Sequence, residues 1–137
     1  MVSQAVVSRI GRFEVWVAGR PAPQGSKSYK GNQRFVEASK YLPAWRKAIK
    51  DAVVAARGDD ALFTTPVKVK ITFLIERPKN PKFDRPGTPP DLDKLCRGVF
   101  DALTGTILLD DALVVELEAS AHYTSLESGA EITVCNI

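Results

Sequence analysis

The sequence has little of what several classes of protein require. Its 137 residues include two cysteines and one histidine, too few for a disulfide framework, a four-ligand zinc site or any site built from several histidines. Apolar runs are short: residues 52–56 form one of the longest, far below the roughly 20 residues of a membrane span. The first ten residues also lack the apolar block and cleavage site of a signal peptide. We therefore expect reduced thiols, no membrane association and a cytoplasmic location.

The length and the charge distribution indicate one domain with two electrostatically different halves. A chain of 137 residues with 45% hydrophobic content suits a single domain over 1–137, in which 1–10 form a loosely ordered tail. The net charge of +3 divides into +8 over 1–50, +2 over 51–90 and −7 over 91–137. The basic part would attract a polyanion such as nucleic acid, and the acidic part would repel it unless a cation neutralised it.

The spacing of apolar residues predicts an α+β fold. Apolar and polar residues alternate over 13–17, 67–75, 115–119 and 132–134, which predicts strands. Helical spacing predicts one helix from an N-cap at Ser39 to Gly58 and a second from about Leu92 to Gly105. We expect a small single domain with a mixed or antiparallel β-sheet packed by two main α-helices. Trp16 and Trp45 fall in these periodic segments, so we expect both in the core.

Two loops, over 20–35 and 78–90, are rich in proline and cations, and we expect them to contact DNA phosphates. An ordinary solvated surface is the alternative for these residues. Tyr29 or Phe35 could stack on bases. The candidate DNA-binding residues, including one on the polar side of the first helix, are Lys27, Lys30, Arg34, Arg46, Lys79, Lys82 and Arg85.

Two pairs of acids flank the second predicted helix. Asp91 and Asp93 precede or begin it, and Asp110 and Asp111 follow it. A twelve-residue helix is about 18 Å long, so the pairs can meet only if 107–109 runs back along it. Carboxylates gathered in this way would need a cation, and all-oxygen ligands suit Mg²⁺ or Mn²⁺. The alternative is local, because such acids are also common as helix caps and in turns.

The residues around these acids resemble a known family. The front segment, Pro21-Ala22-Pro23-Gln24-Gly25-Ser26-Lys27 through Glu37-Ala38-Ser39-Lys40 to Trp45-Arg46, is similar to the versions of RusA-type Holliday junction resolvases that bacteriophages and prophages carry. Together with the three motifs given next, this segment covers most of 21–115. Three further motifs resemble the signature of the RusA-type Holliday junction resolvases: Pro90-Asp91-Leu92-Asp93-Lys94-Leu95, Val99-Phe100-Asp101-Ala102-Leu103-Thr104 and Leu109-Asp110-Asp111-Ala112-Leu113-Val114-Val115.

The resemblance implies a RusA-like fold and a homodimeric, Mg²⁺-dependent endonuclease, with Mn²⁺ able to substitute. Such an enzyme cuts four-way DNA junctions by paired incisions during recombination and repair, and needs no nucleotide cofactor. A bacterial cytoplasm is the implied location, in a host or as a phage or prophage product.

The resemblance also assigns roles to individual residues. By position, the family's metal-binding aspartates correspond to Asp91, Asp93 and Asp111. Asp110 corresponds to a neighbouring acid of less certain role. The family has a lysine one helical turn after the second aspartate, where this chain has Arg97. Arginine binds phosphate but is a poor proton donor, so either it acts only electrostatically or Lys94 or Lys27 takes that role.

Two other functions fit the same residues. A module that binds branched DNA or RNA without cutting it would explain the arginine at position 97. A small protein–protein adaptor would need the acids only as helix caps.

Overall fold

The computed structural model describes residues 8–25 and 40–137, which form a four-stranded sheet with two helices. The strands are β1 (Arg12–Ala18), β2 (Val67–Glu76), β3 (Val114–Thr124) and β4 (Gly129–Asn136). The helices are α1 (Leu42–Arg57) and α2 (Leu92–Leu103), and a short 3₁₀ turn covers Asp111–Leu113. The candidate DNA-contact residues Lys27, Lys30 and Arg34, and the aromatic residues Tyr29 and Phe35, lie outside the described residues, as does Ser39.

The sheet is mixed, and its strand order is β1-β4-β2-β3. β4 pairs antiparallel with both β1 and β2, whereas β2 and β3 are parallel. Parallel neighbours need a crossover connection, and α2 provides it, so α2 runs antiparallel to both strands. The predicted α+β class, with a mixed sheet and two main helices, is confirmed.

The core lies between the helices and one face of the sheet. Phe13 and Val17 of β1, together with alternate residues of β2 and β4, are almost completely buried against α1 and α2. Trp45 is also buried, at 2% exposure, but Trp16 is 38% exposed. The prediction that Trp16 is a core residue is therefore wrong. Alternation along β1 places it on the face opposite Phe13 and Val17, which no described helix covers.

The helix ends follow local sequence signals. Pro43 lies in the first turn of α1, where its missing N–H costs no hydrogen bond. Gly58 ends α1 with a φ of +59°, a left-handed conformation that glycine adopts without strain. The first turn of α2 is preceded by Asp91, and the chain turns after Leu103 at Gly105, whose φ is +85°. Both helix ends predicted from glycine are thus found within one or two residues.

The start of the described chain is tied to the domain. Residues 1–7 of the expected tail lie outside the described residues. Arg9 donates its backbone N–H to the Leu62 carbonyl at 2.8 Å, and its guanidinium lies 3.1 Å from Asp60 and over the Phe13 ring.

Neither described helix is both long and apolar enough to cross a membrane.

Candidate functional site

Asp91 and Asp93 lie at the amino-terminal end of α2 with their carboxylates exposed. The Asp91 carbonyl accepts hydrogen bonds from the N–H groups of Lys94 and Leu95, but its side chain makes no capping hydrogen bond. The Nζ of Lys94 lies 3.6 Å from an Asp91 carboxylate oxygen. The Asp91 side chain therefore does not cap α2, and its carboxylate is available for a ligand.

Asp110 behaves differently from Asp91. Its carboxylate accepts a hydrogen bond of 2.8 Å from the backbone N–H of Ala112 and so caps the 3₁₀ turn. The Asp111 side chain lies beside the Asp110 carboxylate in an acidic neighbourhood. Partial burial, followed by the charges of Asp110 and Asp101, raises the pKa of the Asp111 carboxyl. Negative charge at this end of α2 is thus not fully compensated by the described residues, which favours cation binding there.

The connection after α2 does not run back along the helix. The Leu103 carbonyl accepts hydrogen bonds from the N–H groups of Thr106, Ile107 and Leu108, which closes a tight turn. Ile107 and Leu108 are fully buried, and Leu108 forms a bridge with Phe63. The segment that runs back beside α2 is β3, which begins at Val114, after Asp110 and Asp111. These two acids are therefore not carried back to Asp91 and Asp93.

The two acid pairs consequently lie at opposite ends of α2. The helix has 12 residues, which corresponds to about 18 Å at 1.5 Å per residue. Across residues 8–25 and 40–137, no three Asp, Glu, His or Cys side chains are close enough together to hold a metal ion. Both pairs are present as predicted, but one chain in this conformation does not bring them together.

A groove of about 390 Å³ separates the two pairs, between α2 and β3. Its lining is mainly apolar, and Leu117 of β3 and Leu92 of α2 are 46% and 37% exposed. Asp93 and Arg97 are its charged lining residues. Burial, with a contribution from Asp93, raises the pKa of the Cys96 thiol to about 11. That thiol stays protonated near neutral pH and does not supply a thiolate ligand.

Asp101 and Gln24 belong to this region but were not singled out by the sequence reasoning. Asp101 lies near Asp111 and pairs with Arg46 at 3.6 Å. Gln24 accepts a hydrogen bond from Arg46 at 2.8 Å and donates its backbone N–H to the Lys94 carbonyl. Asp101 stands within the second resemblance motif, which is the signal that could have identified it. Gln24 stands within the front segment of the resemblance, but its contacts could not be predicted because its partners come from distant segments.

The candidate cations occupy three different settings. Arg46 is half-buried and engaged by Gln24 and Asp101. Lys79 and Lys82 are exposed on the loop after β2, whereas Arg85 of that loop donates hydrogen bonds to the Ala121 carbonyl of β3. The loop therefore folds against the outer edge of the sheet and presents its lysines to solvent.

Lys94 and Arg97, the two described candidates for the family's catalytic cation, also differ. Lys94 is half-buried and paired with Asp91, while Arg97 is exposed in the groove and has no ion-pair partner among the described residues. Either could meet a phosphate held near Asp91 and Asp93.

Comparison with known proteins assigns the chain to a family. The model of the family described as "Endodeoxyribonuclease RusA" matches residues 18–135, which include both helices and the two acid pairs. The chain is also similar to "Uncharacterized protein YqaN" of Bacillus subtilis (strain 168), with 31% identity over 123 residues, covering 79% of this chain and 85% of that protein. By fold, by motif and by this match, the chain belongs to the RusA endodeoxyribonuclease family.

Proposed function

We propose that the protein is a divalent-metal-dependent endonuclease that cuts four-way and related branched DNA, acting as a homodimer in recombination and repair. The observation that carries the proposal is that Asp91 and Asp93 keep exposed carboxylates that the fold does not use as side-chain caps, in a chain of an endodeoxyribonuclease family. An acid kept only as a helix cap would use its side chain for that purpose, as Asp110 does.

The acids fit a hard divalent ion in their chemistry. They supply oxygen ligands only, which suits Mg²⁺ or Mn²⁺, and the crowding of Asp111 by Asp110 and Asp101 leaves charge for a cation to neutralise. Asp91, Asp93, Asp111 and, less directly, Asp110 would hold it. When bound, such an ion polarises the phosphoryl oxygen and lowers the pKa of coordinated water.

The cations beside the acids would bind the phosphate of the cleaved strand. Lys94 is held next to Asp91, and Arg97 lies beside Asp93 in the groove, so both could balance the negative charge on the phosphoryl oxygens. Arg97 remains charged throughout and therefore contributes electrostatics rather than a proton. The exposed lysines Lys79 and Lys82 would hold the more distant phosphates.

A second copy of the chain would resolve the separation of the acid pairs. In a dimer whose two-fold axis crosses α2 at right angles, the two α2 helices run antiparallel, as isologous symmetry requires. The amino-terminal end of one α2 then faces the carboxyl-terminal end of the other. Asp91 and Asp93 of each copy would join Asp111 of the second copy, giving two equivalent sites for two symmetric incisions.

The groove between the pairs supports this arrangement. Leu92 and Leu117 line the groove, and Val115 lies two residues before Leu117 on the same face of β3; all three are exposed apolar residues. β3 is also an edge strand in the described sheet, with β2 as its paired neighbour. Exposed apolar side chains beside an edge strand are typical of an interface.

The experiment that tests the function is cleavage of a synthetic four-way junction compared with linear duplex of the same sequence. With Mg²⁺ or Mn²⁺ we expect paired incisions in the junction and at least about a hundredfold slower cutting of the duplex, since the duplex lacks the branch point that the proposed enzyme selects. Chelation by EDTA should stop cleavage. Binding of the junction that persists in EDTA, with no nicking under any divalent ion, would instead establish the non-catalytic binding module.

A further inference from the structure

A second cavity lies on the other side of Asp91 from the α2–β3 groove. It measures about 410 Å³ and is formed where β1 and β2 end and where α1 and α2 begin. Arg20 and Pro21 follow β1, Arg77 and Lys79 follow β2, and Pro90 directly precedes Asp91. A volume of this size is within the range of pockets that hold one small ligand.

The cavity is positively charged, and its cations are not neutralised by carboxylates of the described residues. It is lined by Arg20, Arg77 and Lys79 against a single acid, Glu76. In the described part of the chain, none of the three cations lies within ion-pair distance of a carboxylate. Three unpaired cations around one cavity favour an anionic ligand, and phosphate oxygens are the acceptors that arginine binds best.

The cavity also offers flat surfaces, which include the Tyr41 ring. The Arg20 guanidinium lies over the Tyr41 ring, 3.7 Å from the ring centre. Pro21 and Pro90 form further apolar walls. A guanidinium plane supported by an aromatic ring is a surface on which a nucleobase stacks, and the remaining cations can take its phosphate.

We infer that this cavity binds a single unstacked nucleotide of the branched DNA, with its base against the Arg20–Tyr41 pair and its phosphate at Arg77 and Lys79. The inference rests on the proposed function and deepens it. Because Pro90 is bonded to Asp91, and the Gln24 N–H joins the segment after β1 to the Lys94 carbonyl, the cavity lies next to the amino-terminal acid pair. The captured nucleotide would be a near neighbour of the cleaved phosphate, and junction branch points supply nucleotides that are easily unstacked.

The test uses four-way junctions that carry 2-aminopurine at the branch point, one position at a time, in EDTA so that no strand is cut. Unstacking raises the fluorescence of this base analogue. Binding of the wild-type protein should raise it several-fold at one symmetry-related pair of positions, in line with extrusion of one nucleotide per site. Arg20→Gln and Arg77→Gln should each remove at least about half of that rise, because each loses one of the few contacts to the nucleotide.

Arg12→Gln is the matched control, since Arg12 is an exposed arginine on the outer face of β1 that pairs with Glu14. It should leave the fluorescence rise unchanged. Junction binding, measured by anisotropy, without any rise in fluorescence would overturn the inference and leave the nuclease proposal intact. A fluorescence rise with Arg20→Gln and Arg77→Gln that is as large as the wild-type rise would overturn it as well. Absence of junction binding by the wild type in EDTA would overturn the inference, whereas a lack of cleavage in Mg²⁺ alongside the expected fluorescence would overturn only the nuclease.

Discussion

Asp93→Asn is expected to lower the rate of junction cleavage by about a thousandfold or more, because it removes a charged ligand whose contribution is realised at the reacting phosphate. The substitution keeps the size and polarity of the side chain. Asp93 is exposed and makes no hydrogen bond or ion pair with the described residues. The Asp93 charge interacts favourably with the helix dipole in the first turn of α2. Its removal costs about 0.3–1 kcal/mol of stability, which does not unfold the domain.

The measurement is single-turnover cleavage with Mg²⁺, with thermal unfolding of the same samples. Glu131→Gln is the control, because Glu131 is an exposed acid of β4 on the face of the sheet opposite the helices, beside Arg12 and Trp16 and away from both acid pairs. It should cut at the wild-type rate. Full activity of the Asp93→Asn protein would remove Asp93 from the metal site and with it the assignment of the amino-terminal pair.

Leu117→Lys is expected to convert the proposed dimer to a monomer and to lower cleavage by at least about a hundredfold, since a buried charge without a partner costs several kcal/mol at an interface. In the single chain the change is mild, because Leu117 is 46% exposed on an edge strand. The protein should therefore keep its fold while it loses both self-association and activity.

Sedimentation velocity and cleavage, measured at the same protein concentrations, test this prediction. Val54→Lys is a close control: Val54 is 45% exposed, on α1 rather than at the groove. It should remain dimeric and active. A Leu117→Lys protein that is still dimeric and fully active would place the interface on another surface.

Much of the fold could be predicted from local patterns. The period of apolar residues identified α1, α2 and the long strand β2, since each buries one continuous face. Trp16 was misassigned because alternation reveals that a strand has two faces but does not say which one is covered. Only the packing of Phe13 and Val17 against the helices decides that.

The site was predictable in composition but not in arrangement. The acids could be identified because their spacing and surroundings resemble a family motif. Their separation could not, because the turn after Leu103 depends on the bridge from Leu108 to Phe63, a residue more than forty positions away in sequence. The cationic cavity could not be predicted from the sequence either, because Arg20, Tyr41 and Arg77 come from three distant segments.

The central claim is that each active site combines the amino-terminal acids of one copy with the carboxyl-terminal acids of the other. Co-expression of Asp93→Asn and Asp111→Asn chains with two different affinity tags allows the mixed dimer to be isolated. If sites are shared between copies, this dimer has one site without Asp93 and Asp111 and one site with both intact. If each site lies within one copy, both sites carry a substitution.

We therefore expect the mixed dimer to nick four-way junctions in one strand at about half the wild-type rate per dimer, because one of its two symmetry-related sites is complete. Each pure variant should be inactive under the same conditions. A mixed dimer that binds the junction but is as inactive as the two parent variants would contradict the shared site.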